Sequence, residues 1–248
     1  MVSQEAVRTA LGVLGNISAV TLFLSTIPTF YIIWKKRSVE QYSPVPYLAS
    51  FFNCGLWVLY GMPFVQPNSL LVVICNGAGV VIEACYLVIF LTYSDPKKRF
   101  KVALMVLAEI LIFVILVLLM LTMVDTTQMR STIVGSICLV ANILMYASPL
   151  SVMKLVITTK SVEFMPFLLS LFSFCTGLSW YLYAFFPFDP FIAVPNGIGA
   201  LLGIIQLVLY AMFYKSTKRM LAARKQRAGM GLAVMDSSTM HDDNSANT

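Results

Sequence analysis

Apolar residues run along this chain in long unbroken stretches, separated by short polar, basic or proline-containing segments. Seven such stretches, near residues 10–34, 46–65, 69–93, 102–124, 133–157, 166–186 and 191–214, approach or exceed the ~20 residues that a helix needs to cross a hydrocarbon core. None alternates polar and apolar positions with a period of two, so each predicts a helix and not a barrel strand. The pattern also repeats in detail. Arg37-Ser38-Val39-Glu40 returns as Lys160-Ser161-Val162-Glu163, Trp57-Val58-Leu59-Tyr60 as Trp180-Tyr181-Leu182-Tyr183, and Asn76-Gly77-Ala78-Gly79 as Asn196-Gly197-Ile198-Gly199, in the same order. A unit repeated in this way implies a partner unit packed against it.

The repeated units are residues 10–93 and 131–214, three helices each. The segment 102–124 has no counterpart, and one intervening span is what allows two three-helix units to share an orientation. The expected fold is an all-α membrane protein of seven transmembrane helices, two parallel three-helix bundles joined by an inversion helix (3+1+3). Composition agrees, since 59% of the residues are apolar and 11% charged, against about 25% charged in soluble domains.

Fifteen of the seventeen Lys and Arg residues fall on one side of this topology, leaving Arg8 and Arg130 on the other. The positive-inside rule then puts the N-terminus outside and the C-terminus in the cytoplasm. The same bias accounts for a pI near 9.1 without nucleic acid. Residues 215–248 shift from basic to polar and predict a disordered cytoplasmic tail. The five cysteines lie inside predicted helices without metal-ligand spacing. They read as packing residues, and only Cys54, near the proposed pocket, is a candidate for lining it. No nucleophile–base pair, phosphate loop or metal cluster points to an enzyme, a metal or a cofactor.

Polar side chains within a span face the bundle interior or a cavity, because lipid cannot satisfy them. Asn76 and Asn196 lie near mid-membrane in the third helix of each unit, and their amides both donate and accept hydrogen bonds. Trp57 and Trp180 lie deep in the second helices, with flat rings suited to the C–H face of a sugar. Two amides and two indoles suggest a neutral, ring-shaped substrate. Pro28, Pro46, Pro149 and Pro166 are candidate hinges for a cytoplasmic gate. Tyr60, Tyr183 and Asp189 are candidates for a hydrogen-bonded outer gate. Glu83 and Glu109 are carboxylates within spans, but the duplication gives Glu83 no equivalent: Gly203 stands in its place.

Three helices duplicated around one linker, with these proline, tryptophan and Asn-Gly motifs, resemble the SWEET sugar transporters of the PQ-loop superfamily. The resemblance covers about residues 10–214 and is sharpest at 146–151, 160–167 and 195–197. It implies parallel repeats with a sugar bound between them by Asn76 and Asn196, flanked by Trp57 and Trp180, with Asn53, Asn142 and Thr176 as further pocket positions. It implies that side-chain size at Leu22 and Met145 separates monosaccharide from disaccharide carriers, and bulky residues here favour hexose. It aligns the family's hinge prolines with Pro46, Pro149, Pro166 and position 26, where this chain has Thr26 and a proline only at Pro28. The expectation is a bidirectional facilitative uniporter for a hexose, glucose foremost, similar to the plant hexose-transporting branch. It would reside in the plasma membrane, or in the vacuolar membrane as the alternative. Its expected partners are the sugar, the bilayer and further copies of itself. A proton-coupled amino-acid exporter and a non-transporting scaffold stay open as other readings.

Overall fold

The computed structural model describes residues 3–245, with side chains described as far as residue 226. Helices α1 (Gln4–Leu24) and α2 (Ile27–Lys36) are two halves of one span, as are α6 (Thr127–Met145) and α7 (Ala147–Thr159). The other spans are α3 (Val45–Gly61), α4 (Leu70–Tyr93), α5 (Pro96–Thr122), α8 (Phe167–Tyr183) and α9 (Pro190–Ser245). Among the described residues these make seven spans. Five are long and apolar enough to cross a membrane on length and composition. The remaining two, α3 and α8, have 17 residues each, about 26 Å of helix and the short end of what spans a bilayer.

Proline positions decide where the two broken spans break. A proline lacks the N–H that would bond to the carbonyl four residues before it. Pro28 releases the carbonyl of Leu24, where α1 ends; Pro149 releases that of Met145, where α6 ends. In the register of the duplication the first break therefore falls two residues later than the second, because Thr26 stands where the second unit has Pro149. Thr26 joins the halves: its Oγ1 donates to the Phe23 carbonyl at 2.7 Å, which also accepts from Tyr86 Oη of α4 at 3.0 Å. Pro46 and Pro166 stand in the first turn of α3 and immediately before α8, where a proline fits without bending the helix.

The Arg37-Ser38-Val39 and Lys160-Ser161-Val162 repeats are helix stops. Arg37 and Lys160 both adopt the left-handed conformation, each at φ 55°, as the C-caps of α2 and α7, and the Ser38 N–H returns to the Ile33 carbonyl at 3.3 Å. Their cations sit at the negative helix ends, and the following Val39 and Val162 turn inward at 3% and 6% exposure.

Packing divides the molecule by depth. The main contacts between the bundles are α1 with α8 and α3 with α6, whereas α2 and α7 pack mainly on α4 and α9 of their own bundles. The buried side chains follow suit. One core, with Trp57, Tyr60, Val134, Cys138, Trp180 and Tyr183, is shared by both bundles on the side away from the basic loops. On the basic side each bundle has its own: Phe30, Ile33, Tyr47, Tyr86 and Phe90 in the first, Met153, Val156, Val162, Met165 and Leu209 in the second. The bundles are thus joined at one face of the membrane and separate at the other. Helix α5 packs on α3 and α4 of the first bundle, with Phe113 over Gly55, and turns much of the rest of its surface to lipid.

Helix α9 departs from the expected tail. Residues 215–245 continue as helix where composition predicted disorder. The run Met220-Leu221-Ala222-Ala223-Arg224-Lys225-Gln226 consists of strong helix formers. Contacts back to the bundle help hold its start, with Thr217 Oγ1 accepting from the Val162 N–H at 2.8 Å and Arg224 pairing with Glu163 at 3.2 Å. The last three residues of that expected tail, 246–248, lie outside the described residues.

Helices α8 and α9 meet so closely that a Cβ on Gly177 would lie 2.7 Å from the backbone nitrogen of Ala200, whereas one on Gly77 would meet nothing within 4 Å. Gly177→Ala is therefore expected to lower stability by about 1–3 kcal/mol, and Gly77→Ala to be neutral or to stabilise by up to about 1 kcal/mol. Thermal unfolding of the two variants in detergent micelles checks the contrast.

Candidate functional site

Between the bundles, part-way along the spans, lies a cavity of about 170 Å³. Its lining is set by the duplication. Residues 123 apart pair up from the first and second helices of each unit, Trp57 with Trp180, Asn53 with Thr176 and Ala19 with Asn142; residues 120 apart pair up from the third, Asn76 with Asn196 and Val72 with Ile192. Leu22, Phe23 and Cys75 complete the wall. The sequence-predicted Asn76, Asn196, Trp57, Trp180, Asn53, Asn142, Thr176 and Leu22 are therefore brought together around one space.

The two principal asparagines are held alike. Asn76 Nδ2 donates to the Val72 carbonyl at 2.9 Å and Asn196 Nδ2 to the Ile192 carbonyl at 2.8 Å, each a bond one turn back along its own helix. Neither amide makes another hydrogen bond among the described side chains, so each keeps an acceptor oxygen and one N–H for a ligand. Asn53 Nδ2 reaches Asn142 Oδ1 across the bundles at 3.3 Å, which leaves Asn53 Oδ1 buried without a partner. Thr176 Oγ1, its counterpart in the other unit, is unpartnered too. Buried polar atoms are normally satisfied, so matched orphans on opposite walls point to a ligand that donates and accepts. The indoles are each 6% exposed; Trp57 stands edge-on to Tyr60 and Trp180 to Tyr183, while Trp180 is admitted against α1 by the bare Gly15. Among the described residues, no charged side chain lines this cavity. It suits a small, neutral ligand carrying several hydroxyls.

Two expected positions lie elsewhere. Cys54 is 2% exposed and faces α4, where Gly79 makes room for its sulfur; Cys75 lines the cavity in its stead. Met145 ends α6 and is absent from the walls of the cavity. Sequence reasoning missed Phe23, Cys75, Val72, Ile192 and Ala19. The signal for Val72 and Ile192 was present, since each lies four residues before a cavity asparagine and so on the same helix face. Glu83 is buried outside the cavity, and Glu109 faces an apolar crevice between α5, α3 and α4.

The central cavity continues toward the basic side into a second space of about 160 Å³ that shares Leu22, Thr176 and Asn196 with it and is walled by Tyr146, Pro149 and Gln206. Toward the far side the way is shut. Tyr60 Oη donates to Asp189 Oδ2 at 2.7 Å across the bundles, and Gln66 Nε2 donates to the same oxygen at 3.3 Å. Ser131 Oγ donates to Gln66 Oε1 at 2.9 Å. The other carboxylate oxygen, Oδ1, accepts from the N–H groups of Phe191 and Ile192 at 3.0 and 3.3 Å, so Asp189 caps α9 while it ties the bundles together. Tyr183 joins through its ring, with the Arg8 guanidinium 4.5 Å above it.

The profile of a family described as "Sugar efflux transporter for intercellular exchange" matches residues 9–98 and again 132–218, once per unit, and skips the linker. The chain is 52% identical to a bidirectional sugar transporter SWEET7 of Arabidopsis thaliana, over 90% of this chain and 86% of that protein. It is 49% identical to a bidirectional sugar transporter SWEET4 of Oryza sativa subsp. indica, over 95% and 91% respectively. A solved eukaryotic SWEET transporter superposes with a TM-score of 0.84 at 39% identity, covering 86% of this chain and 99% of the other.

The far-side closure is testable through Cys75, a cysteine that lines the central cavity. A hydrogen bond to a charged group contributes roughly 1.5–3 kcal/mol, which corresponds to about tenfold or more in the population of an opened state. With Cys85 and Cys175 replaced by alanine, Tyr60→Phe is expected to raise the labelling rate of Cys75 by a far-side thiol reagent by about that factor. An unchanged rate would mean that the Tyr60–Asp189 bond does not hold this side shut.

Proposed function

The chain belongs to the SWEET family of sugar transporters, and on that premise we propose that it carries a monosaccharide, glucose, passively and in either direction across the plasma membrane. The observation that carries this reading is the uncharged central cavity, with one amide and one indole from each unit and orphan acceptors on opposite walls. Hydroxyls of a pyranose satisfy those acceptors and amides, and its C–H faces lie against the indoles. A cavity of about 170 Å³ with Leu22 on its wall supports a monosaccharide over a disaccharide.

The division of the cores supports alternating access. Bundles 10–93 and 131–214 rock about the shared far-side core while each keeps its own basic-side core, and the breaks before Pro28 and Pro149 let α2 and α7 swing. With the basic side in the cytoplasm, as the Lys and Arg bias indicates, the conformation described is closed to the outside by Tyr60, Tyr183 and Asp189. It is open inward past Tyr146 and Pro149. Self-association belongs to the same proposal, supported by an apolar groove of about 710 Å³ between α8 and α9, a surface whose counterpart in the first bundle is covered by α5. An amino-acid substrate fits less well, because its ammonium and carboxylate would enter a site that offers no counter-charge.

In a yeast strain lacking hexose transport, wild type is expected to restore uptake of labelled glucose but not of sucrose, with no dependence on a proton gradient. Asn196→Ala is expected to abolish that uptake with the protein still at the membrane. Preferential sucrose uptake would overturn the substrate, and undiminished uptake by Asn196→Ala would overturn the site.

A further inference from the structure

Above the far-side closure lies a third cavity of about 410 Å³, more than twice the size of the central one and different in character. Its rim is exposed at Asn68, Thr127 and Gln128, and its floor is buried at Ser131, Tyr183 and Asp189. It is therefore a cup that solvent enters from outside and that ends on the closure itself. Ile192 is the one lining residue it shares with the central cavity.

The cup holds one charge of each sign, and they are not paired. Arg8 and Asp189 both line it, yet the ion pairs among the described side chains are Lys36 with Glu40 and Arg224 with Glu163. Arg8 lies over the Tyr183 ring, and its Nε is buried with no acceptor among the described residues. Gln66 reaches Asp189 with a long bond of 3.3 Å, beyond the usual range for N–H···O. An anion would be repelled by Asp189 and a cation by Arg8. A neutral polyol serves both, since one hydroxyl donates to the carboxylate while its neighbour accepts from the guanidinium, with Asn68 and Gln128 at the rim for the remaining hydroxyls.

We infer that this outer cup is a second, low-affinity site for the transported sugar, occupied before the closure beneath it opens. The inference rests on the sugar-transport reading and adds a step to it. Asp189 Oδ2 is the atom at which the step acts, because it accepts both from Gln66, which lines the cup, and from Tyr60. A sugar hydroxyl that donates to this oxygen displaces the long Gln66 bond and competes with Tyr60, so loading the cup loosens the contact that keeps the outside shut.

Photolabelling of the full chain in detergent micelles with a diazirine-bearing glucose, followed by peptide mapping, tests the assignment. In wild type, label is expected both on central-cavity peptides and on those carrying Asn68 and Gln128. In the Asn76→Ala/Asn196→Ala chain only the latter should persist, and excess glucose should displace it. Arg8→Ala is expected to reduce the outer label roughly fivefold while the central label remains; Gln128→Ala supplies the same comparison should the arginine variant fold poorly. Label confined to the central cavity, or outer label that excess glucose does not displace, would overturn the second site and leave the transport reading standing. Absence of label at both sites would remove both.

Discussion

In lipid no water is available to satisfy a backbone N–H or C=O, so every such group must find its partner within the protein. This constraint shapes the whole chain. It makes all the spans helical, and it allows a helix to open only where the bundle offers a substitute. The Phe23 carbonyl at the first break has one from its own chain turn, Thr26 Oγ1, and one from α4, Tyr86 Oη. In the second unit Tyr146, at the break between α6 and α7, is tied to α9 by donating its Oη proton to the Pro195 carbonyl. The cavity asparagines obey the same rule, each anchoring one N–H on its own helix and leaving the rest of its amide toward the space between the bundles.

Separate basic-side cores and a shared far-side core are what the proposed alternating access works with. A close-packed core behaves as a rigid body and shifts between discrete arrangements rather than deforming smoothly. On that reading each basic-side core keeps its half-bundle intact, and the contact between bundles is what changes. On the far side that contact is the shared apolar core, bridged by the Asp189 carboxylate through Tyr60 and Gln66.

Much of this was legible in the residues. Long apolar runs and the internal duplication led directly to seven spans in a 3+1+3 order, and duplicated polar residues marked the cavity, because side chains that lipid rejects have few places to go. What escaped was mostly rotational. Successive residues on a helix point about 100° apart, so Asn53 faces the cavity while Cys54 turns to Gly79, and a pattern of types cannot assign that angle without the neighbouring helix. Thr26 was conspicuous as a departure from Pro149, but that Pro28 would carry the break depended on which carbonyl it releases. Gln66 and Ser131 lie outside the duplicated motifs and came to notice only through the fold that brings them to Asp189. Residues 215–226 belong to the basic start of a tail expected to be disordered, yet their helix propensity and their contacts with Val162 and Glu163 carry α9 onward.

The two-residue offset between the breaks has a geometric consequence. At 1.5 Å of rise per residue, the point where α1 gives way to α2 lies about 3 Å further along its span than the corresponding point between α6 and α7. Two parallel bundles with level pivots would swing about an axis lying flat in the bilayer. Under the proposed rocking, the line joining these breaks is inclined, and a swing that bends α2 and α7 there would also slide one bundle slightly along the membrane normal, giving the motion the pitch of a screw.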